Sequence, residues 1–127
     1  MQGNKGEKGR LGENLAAAYF QSLGWTILTR NYHTRWGEVD IIAQEGNILV
    51  FVEVKLRRSQ TYGTGYEAIN PAKQRRIAKA ALQYLQETGG LERSVRFDAF
   101  IIQSCPGMGP QQEHIRNAFQ CPEEIVY

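Results

Sequence analysis

Three carboxylates and a lysine recur at alternate positions along two neighbouring apolar segments of the sequence. Glu38 and Asp40 begin the first segment, and Glu53 and Lys55 end the second. If the two segments are paired strands, side chains two residues apart share a face, and acids on the two strands come close together. Clustered carboxylates repel one another unless a cation or a shared proton lies between them. The pattern is typical of a divalent-metal site.

The two segments predict a β-hairpin. Strands at Glu38–Ala43 and Ile48–Lys55 are rich in Val, Ile and Phe and are joined by four residues. Gly46 supplies the positive φ that a tight turn needs, so we expect the turn at Glu45-Gly46. This turn sets the cross-strand pairs Ile42 with Leu49, Asp40 with Phe51 and Glu38 with Glu53. The alternation then places one group of side chains on a common face: Glu38, Asp40, Phe51, Glu53 and Lys55.

Basic residues are concentrated directly after the second strand. From Lys55 to Lys79 the chain has seven basic residues and one acidic residue, although its net charge is only +2. A basic segment beside clustered acids suggests that a polyanion is brought to a cation. A solvated helix face explains such a segment about as often, so both interpretations stand.

Composition places the chain among ordinary globular proteins. It has 127 residues, 42% apolar and 22% charged, which predicts one domain over residues 1–127 with a frayed start at 1–8. No apolar run is long enough for a membrane span, and the N-terminal residues lack a secretory signal. Cys105 and Cys121 do not have zinc-site spacing. The expected location is the cytoplasm.

The remaining elements follow from periodicity and from start and stop signals. A first helix is expected from about Lys8 to Leu23, and a strand over Trp25–Asn31. The segment from Arg58 to Asn70 contains glycines and tyrosines and predicts a surface loop. Asn70-Pro71 then begins a helix that ends at Gly89-Gly90. Two further strands are expected at Val95–Ile102 and Glu113–Phe119.

The order of these elements predicts an α/β fold. A strand–helix–strand step requires a crossover, so the fourth strand should run parallel to the third in a mixed central sheet flanked by helices. Glu13 lies beside the apolar stripe of the first helix, where most such residues turn outward to solvent. Lys73 lies in the first turn of the second helix, on its apolar side. An inward and an outward orientation of Lys73 are about equally expected.

The sequence resembles the PD-(D/E)XK endonuclease superfamily, whose restriction-endonuclease-like core has the same α-β-β-β-α-β order. More closely, it is similar to the bacterial YraN-like proteins, whose sheet resembles that of Holliday-junction resolvases. Five segments carry the resemblance: Gly12-Glu13-Asn14-Leu15-Ala16, Gly37-Glu38-Val39-Asp40, Phe51-Val52-Glu53-Val54-Lys55, Glu67-Ala68-Ile69 with Lys73, and Arg96-Phe97-Asp98. Val39 stands where the superfamily name has proline.

The resemblance assigns roles to individual residues. Asp40 and Glu53 match the metal ligands, Lys55 the catalytic lysine, and Glu13 the first-helix glutamate of the resolvases. Glu13 would hold a second metal ion or its water shell. It also implies that the Val54 carbonyl binds the metal, which would be Mg²⁺ or Mn²⁺. Basic residues would contact the flanking phosphates without reading the base sequence: Lys73, Arg57, Arg58, Arg75 and Arg76.

Two functions remain open from the sequence. The first is a metal-dependent nuclease that acts on DNA, with branched or flapped structures among the candidate substrates. The second is a nucleic-acid-binding module that kept the fold and does not cleave. A buried ion-pair network of Lys55 with Asp40 and Glu53 is the structural alternative to a metal site. A protein-interaction module is the least supported function, and the sequence leaves open whether a homodimer forms.

Overall fold

A computed structural model of the chain describes residues 6–58, 69–104, 107 and 109–122, without the side chains of residues 7, 8 and 58. The expected frayed start falls mainly on residues 1–5, and the expected surface loop on 59–68, both outside the described residues. The described part contains α1 (Glu7–Ser22), β1 (Thr26–His33), β2 (Glu38–Glu45), β3 (Ile48–Arg58), α2 (Pro71–Thr88), β4 (Ser94–Ser104) and β5 (Gln111–Phe119). This order confirms the predicted α/β fold with its additional last strand.

The strands form one mixed sheet. Its spatial order is β1-β2-β3-β4-β5, the same as the order along the chain. Neighbouring strands are antiparallel except for β3 and β4, which are parallel and joined through α2. The predicted parallel pairing after a helical crossover is therefore confirmed. Among the described residues, neither helix combines the length and apolarity that crossing a bilayer requires.

Two apolar cores lie on opposite faces of the sheet. Ala16, Ala17 and Phe20 of α1 pack with Val50 and Val52 of β3, and we call this the α1-side core. Ile77, Ala81 and Leu85 of α2 pack with Leu49 and Phe51 of β3 in the α2-side core. Neighbouring residues of β3 thus contribute to different cores, as expected for a strand buried on both faces.

Local signals set both ends of α2. The side chain of Asn70 accepts a 2.9 Å hydrogen bond from the backbone N–H of Lys73, and Pro71 begins the helix. Gly89 ends the helix with a φ of +73°, a conformation that glycine adopts without steric cost. The helix is therefore the one that the sequence predicts, since capping chemistry depends on residues close in the chain.

The hairpin between β2 and β3 has a two-residue turn, but its predicted position is wrong. Glu45 pairs with Ile48, so the turn residues are Gly46 and Asn47, and Ile42 lies opposite Phe51 rather than Leu49. Gly46 has a φ of +56° and fits the first central position of the turn as well as the second. The pairing moves by two residues, which preserves the face of each side chain in the paired region.

A buried polar network lies between β4 and β5. The carboxylate of Asp98 accepts hydrogen bonds from the Arg96 guanidinium at 2.8 and 2.9 Å and from the Asn117 backbone N–H at 2.9 Å, and it contacts Nε2 of His114 at 2.8 Å. Burial alone would raise the pKa of Asp98, but these partners outweigh it and hold that pKa below its usual value. The network therefore accounts for a buried carboxylate without any ligand.

Candidate metal centre

Three carboxylates from two elements converge at one end of the β2–β3 pair. Glu13 of α1 and Glu38 and Asp40 of β2 each place an oxygen within 4.8 Å of the other two, and we call them the acidic trio. Glu13 and Asp40 are buried, at 1% and 6% exposure. A cation that binds oxygens at about 2.0–2.6 Å has ligands on opposite sides about 4–5 Å apart. The trio therefore fits one hard divalent cation.

A close approach of α1 to the sheet brings Glu13 to this position. A Cβ added at Gly12 would lie 2.7 Å from Cδ1 of Leu56 on β3, so the helix contacts the strand at the residue before Glu13. The Oε1 of Glu13 accepts a 2.9 Å hydrogen bond from Asn31 and lies 3.6 Å from the Arg30 guanidinium. The end of β1 thus fixes an acid that helical spacing alone does not orient.

Asp40 lies where β2 and β3 separate. The last cross-strand pair is Ile41 with Val52, and beyond it the Oδ2 of Asp40 accepts a 2.8 Å hydrogen bond from the backbone N–H of Val54. Ile41 packs in the α1-side core, whereas Val39 and Ile42 both pack in the α2-side core. Val39 and Ile42 are three residues apart, so the alternation of β2 slips once around Asp40.

This slip corrects the prediction that five side chains share one face. Glu38 and Asp40 approach Glu13 of α1, whereas Phe51 packs in the α2-side core and Glu53 pairs with α2. The regular alternation on which the prediction depended holds in β3 but not in β2. Glu38 and Asp40 still meet, together with Glu13, at the gap between the two strands, whereas Glu53 lies outside the acidic trio.

Glu53 is the fourth acid of the site and is paired with a lysine. Its side chain is only 10% exposed, and its Oε2 lies 3.2 Å from Nζ of Lys73. Burial and then the charge of Asp40 raise the pKa of Glu53, against the opposing effects of Lys73 and Lys55. The structure thus orients Lys73 inward and brings both Asp40 and Lys55 within electrostatic reach of Glu53. The assignment of Val54 as a carbonyl ligand stays a prediction.

The basic residues predicted to contact nucleic acid occupy two places. Arg75 and Arg76 are exposed on α2, next to the turn of Lys73. Arg57 is half-buried on β3, where it lines a cavity of about 540 Å³ with Leu56. The side chain of Arg58 lies outside the described residues. The structure therefore leaves Arg75 and Arg76 accessible to a ligand approaching along α2.

A cavity on the α1 side lies beside one member of the acidic trio. It has a volume of about 360 Å³ and includes Glu13 in its lining. The other lining residues are mainly polar or basic: Arg10, Leu11, Asn14, Arg30 and Asn31. The cavity therefore adjoins Glu13, although the Glu13 side chain itself is 1% exposed.

The sequence did not identify Glu38 as a ligand, although its position two residues before Asp40 was a signal for it. It also missed Arg30 and Asn31, which hold Glu13. Asn31 adopts a φ of +54°, and nothing local in the sequence indicates this conformation. Asp98, part of the resemblance, lies instead in the buried network of β4 and β5.

Comparison with known proteins identifies relatives of nearly full length. The profile of a family described as "Uncharacterised protein family UPF0102" matches residues 12–102, a range that includes the acidic trio and Glu53. A UPF0102 protein of Geobacter sulfurreducens is 50% identical over 109 residues, covering 86% of this chain and 85% of the relative. One from Rhodococcus opacus is 50% identical over 111 residues, with 87% and 94% covered. One from Desulfosudis oleivorans is 44% identical over 119 residues, with 94% of each chain covered.

The family profile spans most of the chain. The relatives align with the chain over most of their own length, at well above 30% identity. The protein therefore belongs to the UPF0102 family.

Proposed function

We propose that this protein is a divalent-metal-dependent nuclease that hydrolyses phosphodiester bonds of DNA, with branched or flapped structures among its substrates. The observation that carries the proposal is the acidic trio, in which three carboxylates from two elements lie within 4.8 Å of one another. Hard cations such as Mg²⁺ and Mn²⁺ take such oxygen ligands together with phosphate and water. A cation held there would stabilise the charge on the scissile phosphate and activate water at neutral pH.

The chain's own groups have complementary tasks. Glu13, Glu38 and Asp40 would hold the cation, and the Val54 N–H keeps Asp40 oriented towards β3. Lys55, whose charge acts on Glu53, would bind the scissile phosphate or orient the attacking water. In the reaction a P–O bond forms to water, the P–O bond to the leaving group breaks, and the leaving oxygen gains a proton.

The exposed cations of α2 support a nucleic-acid substrate. Arg75 and Arg76 lie within one turn of Lys73, which contacts the site through Glu53. Contacts of this kind with phosphates give affinity without base specificity.

One observation favours a second candidate, a nucleic-acid-binding module without cleavage. The 3.2 Å contact between Lys73 and Glu53 already neutralises one acid of the site. If that pair is permanent, Glu53 is a structural residue rather than the metal ligand that the resemblance implies, so the site departs from that of a nuclease. The two candidates differ in their response to metal and in the effect of Asp40→Asn.

A cleavage assay tests the proposal. Single-stranded, duplex, flapped and four-way-junction DNA, with matching RNA, are incubated with Mg²⁺, Mn²⁺ or EDTA. We expect the wild type to cleave DNA only when metal is present. The cleavage rate of Asp40→Asn should be lower by about 100-fold or more. Glu92→Gln removes an exposed carboxylate just before β4, at the opposite end of the sheet, and should cleave normally. Binding of these substrates with no cleavage in Mg²⁺ or Mn²⁺ would support the binding module instead.

A further inference from the structure

An exposed tryptophan lies beside the candidate metal centre. Trp36 is in the connection between β1 and β2, two residues before Glu38, and is 37% exposed. The other tryptophan, Trp25, is 5% exposed and stacks on Phe20 in the α1-side core. Burial in a core explains Trp25 but not Trp36.

Two cations lie over the ring of Trp36. Cζ of Arg35 is 4.6 Å and Nζ of Lys79 is 4.5 Å from the ring centroid. Cations are attracted to the negative face of an aromatic ring, and the same cations attract phosphates. Two positive charges that could bind phosphates of a polyanion therefore lie next to the exposed ring.

The connection that carries Trp36 is held in place. The hydroxyl of Thr34 accepts hydrogen bonds from the backbone N–H groups of Trp36 and Gly37, at 3.0 and 3.2 Å. A Cβ added at Gly37 would lie 3.3 Å from Cβ of Arg76, so the connection packs on α2. The ring is therefore positioned relative to α2 before any ligand arrives.

A row of cations on α2 extends from the ring of Trp36 to Glu53 of the candidate metal centre. Lys73, Arg76 and Lys79 are spaced three residues apart, so they lie on successive turns along about 9 Å of the helix. Lys73 contacts Glu53 at one end of the row, and Lys79 lies over Trp36 at the other. A strand of nucleic acid bound along the row would present phosphates to the cations and a base to the ring.

We propose that Trp36, with Arg35 and Lys79, is a stacking platform for an unpaired base of the strand that enters the candidate metal centre. This inference rests on the proposed function and specifies its substrate as single-stranded or splayed nucleic acid. Every base has a π-face, so stacking gives affinity without sequence preference. In a continuous duplex the faces are covered by neighbouring base pairs, and an aromatic side chain cannot reach them without unstacking. The base displaces a cation from the ring, and that cation binds the adjacent phosphate.

Tryptophan fluorescence provides a direct test, because the chain has two tryptophans and one of them is buried. The wild type is titrated in EDTA, which prevents cleavage, with an oligothymidylate, an oligouridylate of equal length and a DNA duplex. Binding is followed independently by the anisotropy of labelled oligomers. We expect both single strands to quench the emission and the duplex to leave it unchanged. Trp36→Phe, which retains only Trp25, should bind single strands without quenching. Comparing the two single strands shows whether the platform prefers DNA or RNA.

Affinity measurements on matched variants complete the test. Trp36→Leu, which removes the aromatic face, should weaken single-strand binding by about 5- to 100-fold, and Trp36→Phe should weaken it much less. Duplex binding should change less than 2-fold in both variants. Leu91→Ala, at an exposed apolar side chain just before β4, is the control and should bind as the wild type does.

Three outcomes would overturn the platform. Saturated single-strand binding without quenching means that the base does not reach Trp36. An equal loss of single-strand and duplex affinity in Trp36→Leu means that the ring only anchors the β1–β2 connection to α2. Both of these results leave the nuclease intact if cleavage still depends on Asp40. Absence of binding to every nucleic acid at low salt, with Mg²⁺ as well as in EDTA, would overturn the platform and the proposed function together.

Discussion

The backbone N–H of Val54 donates a 2.8 Å hydrogen bond to Oδ2 of Asp40, one residue beyond the last cross-strand pair of β2 and β3. A side chain therefore takes the hydrogen bond that a backbone carbonyl accepts in a regular ladder. This bond fixes the carboxylate at the gap between the strands, where Glu13 and Glu38 also arrive. It also means that Asp40 has a structural partner in the absence of metal.

Asp40→Asn separates a metal site from a structural ion-pair network. The amide oxygen of Asn can still accept the Val54 N–H, and the substitution removes one negative charge from the acidic trio. We expect the metal-free variant to be as stable as the wild type or slightly more stable, because repulsion among the acids falls. Mg²⁺ should raise the melting temperature of the wild type but not that of the variant. At an Mg²⁺ concentration 100 times the dissociation constant, the free energy of unfolding of the wild type should rise by about 2.7 kcal/mol.

Thermal denaturation with EDTA and with Mg²⁺ measures both effects, with Glu92→Gln as the charge control. A structural network predicts the opposite sign, since removing one partner leaves a buried charge unpaired at a cost of about 3–5 kcal/mol. A loss of that size, with no metal response in the wild type, would contradict the metal site.

The Lys73–Glu53 pair predicts coupled effects on stability. Lys73→Met should destabilise the metal-free protein, because it leaves the buried Glu53 next to Asp40 without its nearest cation. Glu53→Gln should be neutral or stabilising, and the double variant should recover most of the loss. A double-mutant cycle by chemical denaturation should give a coupling of about 0.5–3 kcal/mol. Additive effects would show that the 3.2 Å contact contributes no stability.

Local sequence signals predicted the elements, and tertiary packing decided the details of the site. Asn70, Pro71 and Gly89 set the ends of α2 through neighbours in the chain, so those ends were predictable. The predicted hairpin register was wrong by two residues, because Gly46 fits either central position of the turn. The slip of β2 at Asp40 was not predictable, because the alternation of residue types in Glu38–Ala43 gives no sign of it.

Asp98 predicts a loss of stability in acid. Its pKa is lowered in the folded state, so its contribution is complete above the unfolded value near 3.8 and is lost as pH falls through the folded pKa. Asp98→Asn should cost about 3–5 kcal/mol at neutral pH, because it removes the negative charge that Arg96 faces and replaces one of the two accepting oxygens with an NH₂ donor. The variant should also show a shallower decline in stability below about pH 4.

Unfolding free energies measured from pH 7 to pH 3 test this prediction. Glu113→Gln, at an exposed position of β5, is the matched control and should follow the wild type at every pH. A variant that declines as steeply as the wild type in acid would show that other carboxylates dominate the transition.

The exposed arginines of α2 predict a salt-dependent affinity for nucleic acid. Arg75→Ala and Arg76→Ala should each weaken binding, and each lost phosphate contact should flatten the slope of log K against log salt by about 0.7–0.9. Arg93→Ala, exposed just before β4, should leave the slope unchanged. Fluorescence anisotropy from low to moderate salt gives these slopes. If neither arginine changes affinity or slope, the two residues form only a solvated helix face.

Gly12 predicts that metal affinity depends on how closely α1 approaches β3. A Cβ at this position would lie 2.7 Å from Cδ1 of Leu56, so Gly12→Val must displace either the helix or the leucine. Displacing the helix moves Glu13 away from Glu38 and Asp40 and should weaken Mg²⁺ binding by about 10-fold or more, equivalent to about 1.4 kcal/mol. If instead the exposed Leu56 side chain turns aside, Gly12→Val will keep the Mg²⁺ affinity of the wild type, which would contradict this prediction.

Combining Gly12→Val with Leu56→Ala tests whether the contact with Leu56 causes the loss of metal affinity. Leu56 is 47% exposed, so its truncation should cost little by itself, and it removes the atom that the new side chain meets. Gly12→Val with Leu56→Ala should therefore recover most of the metal affinity. Ala18→Val, at an exposed position of α1, controls for the lower helix propensity of valine and should bind Mg²⁺ normally. Isothermal titration with Mg²⁺ measures all four proteins. If the double variant stays as weak as Gly12→Val, the approach of α1 at Leu56 does not position Glu13, and the contacts from Asn31 and Arg30 must do so.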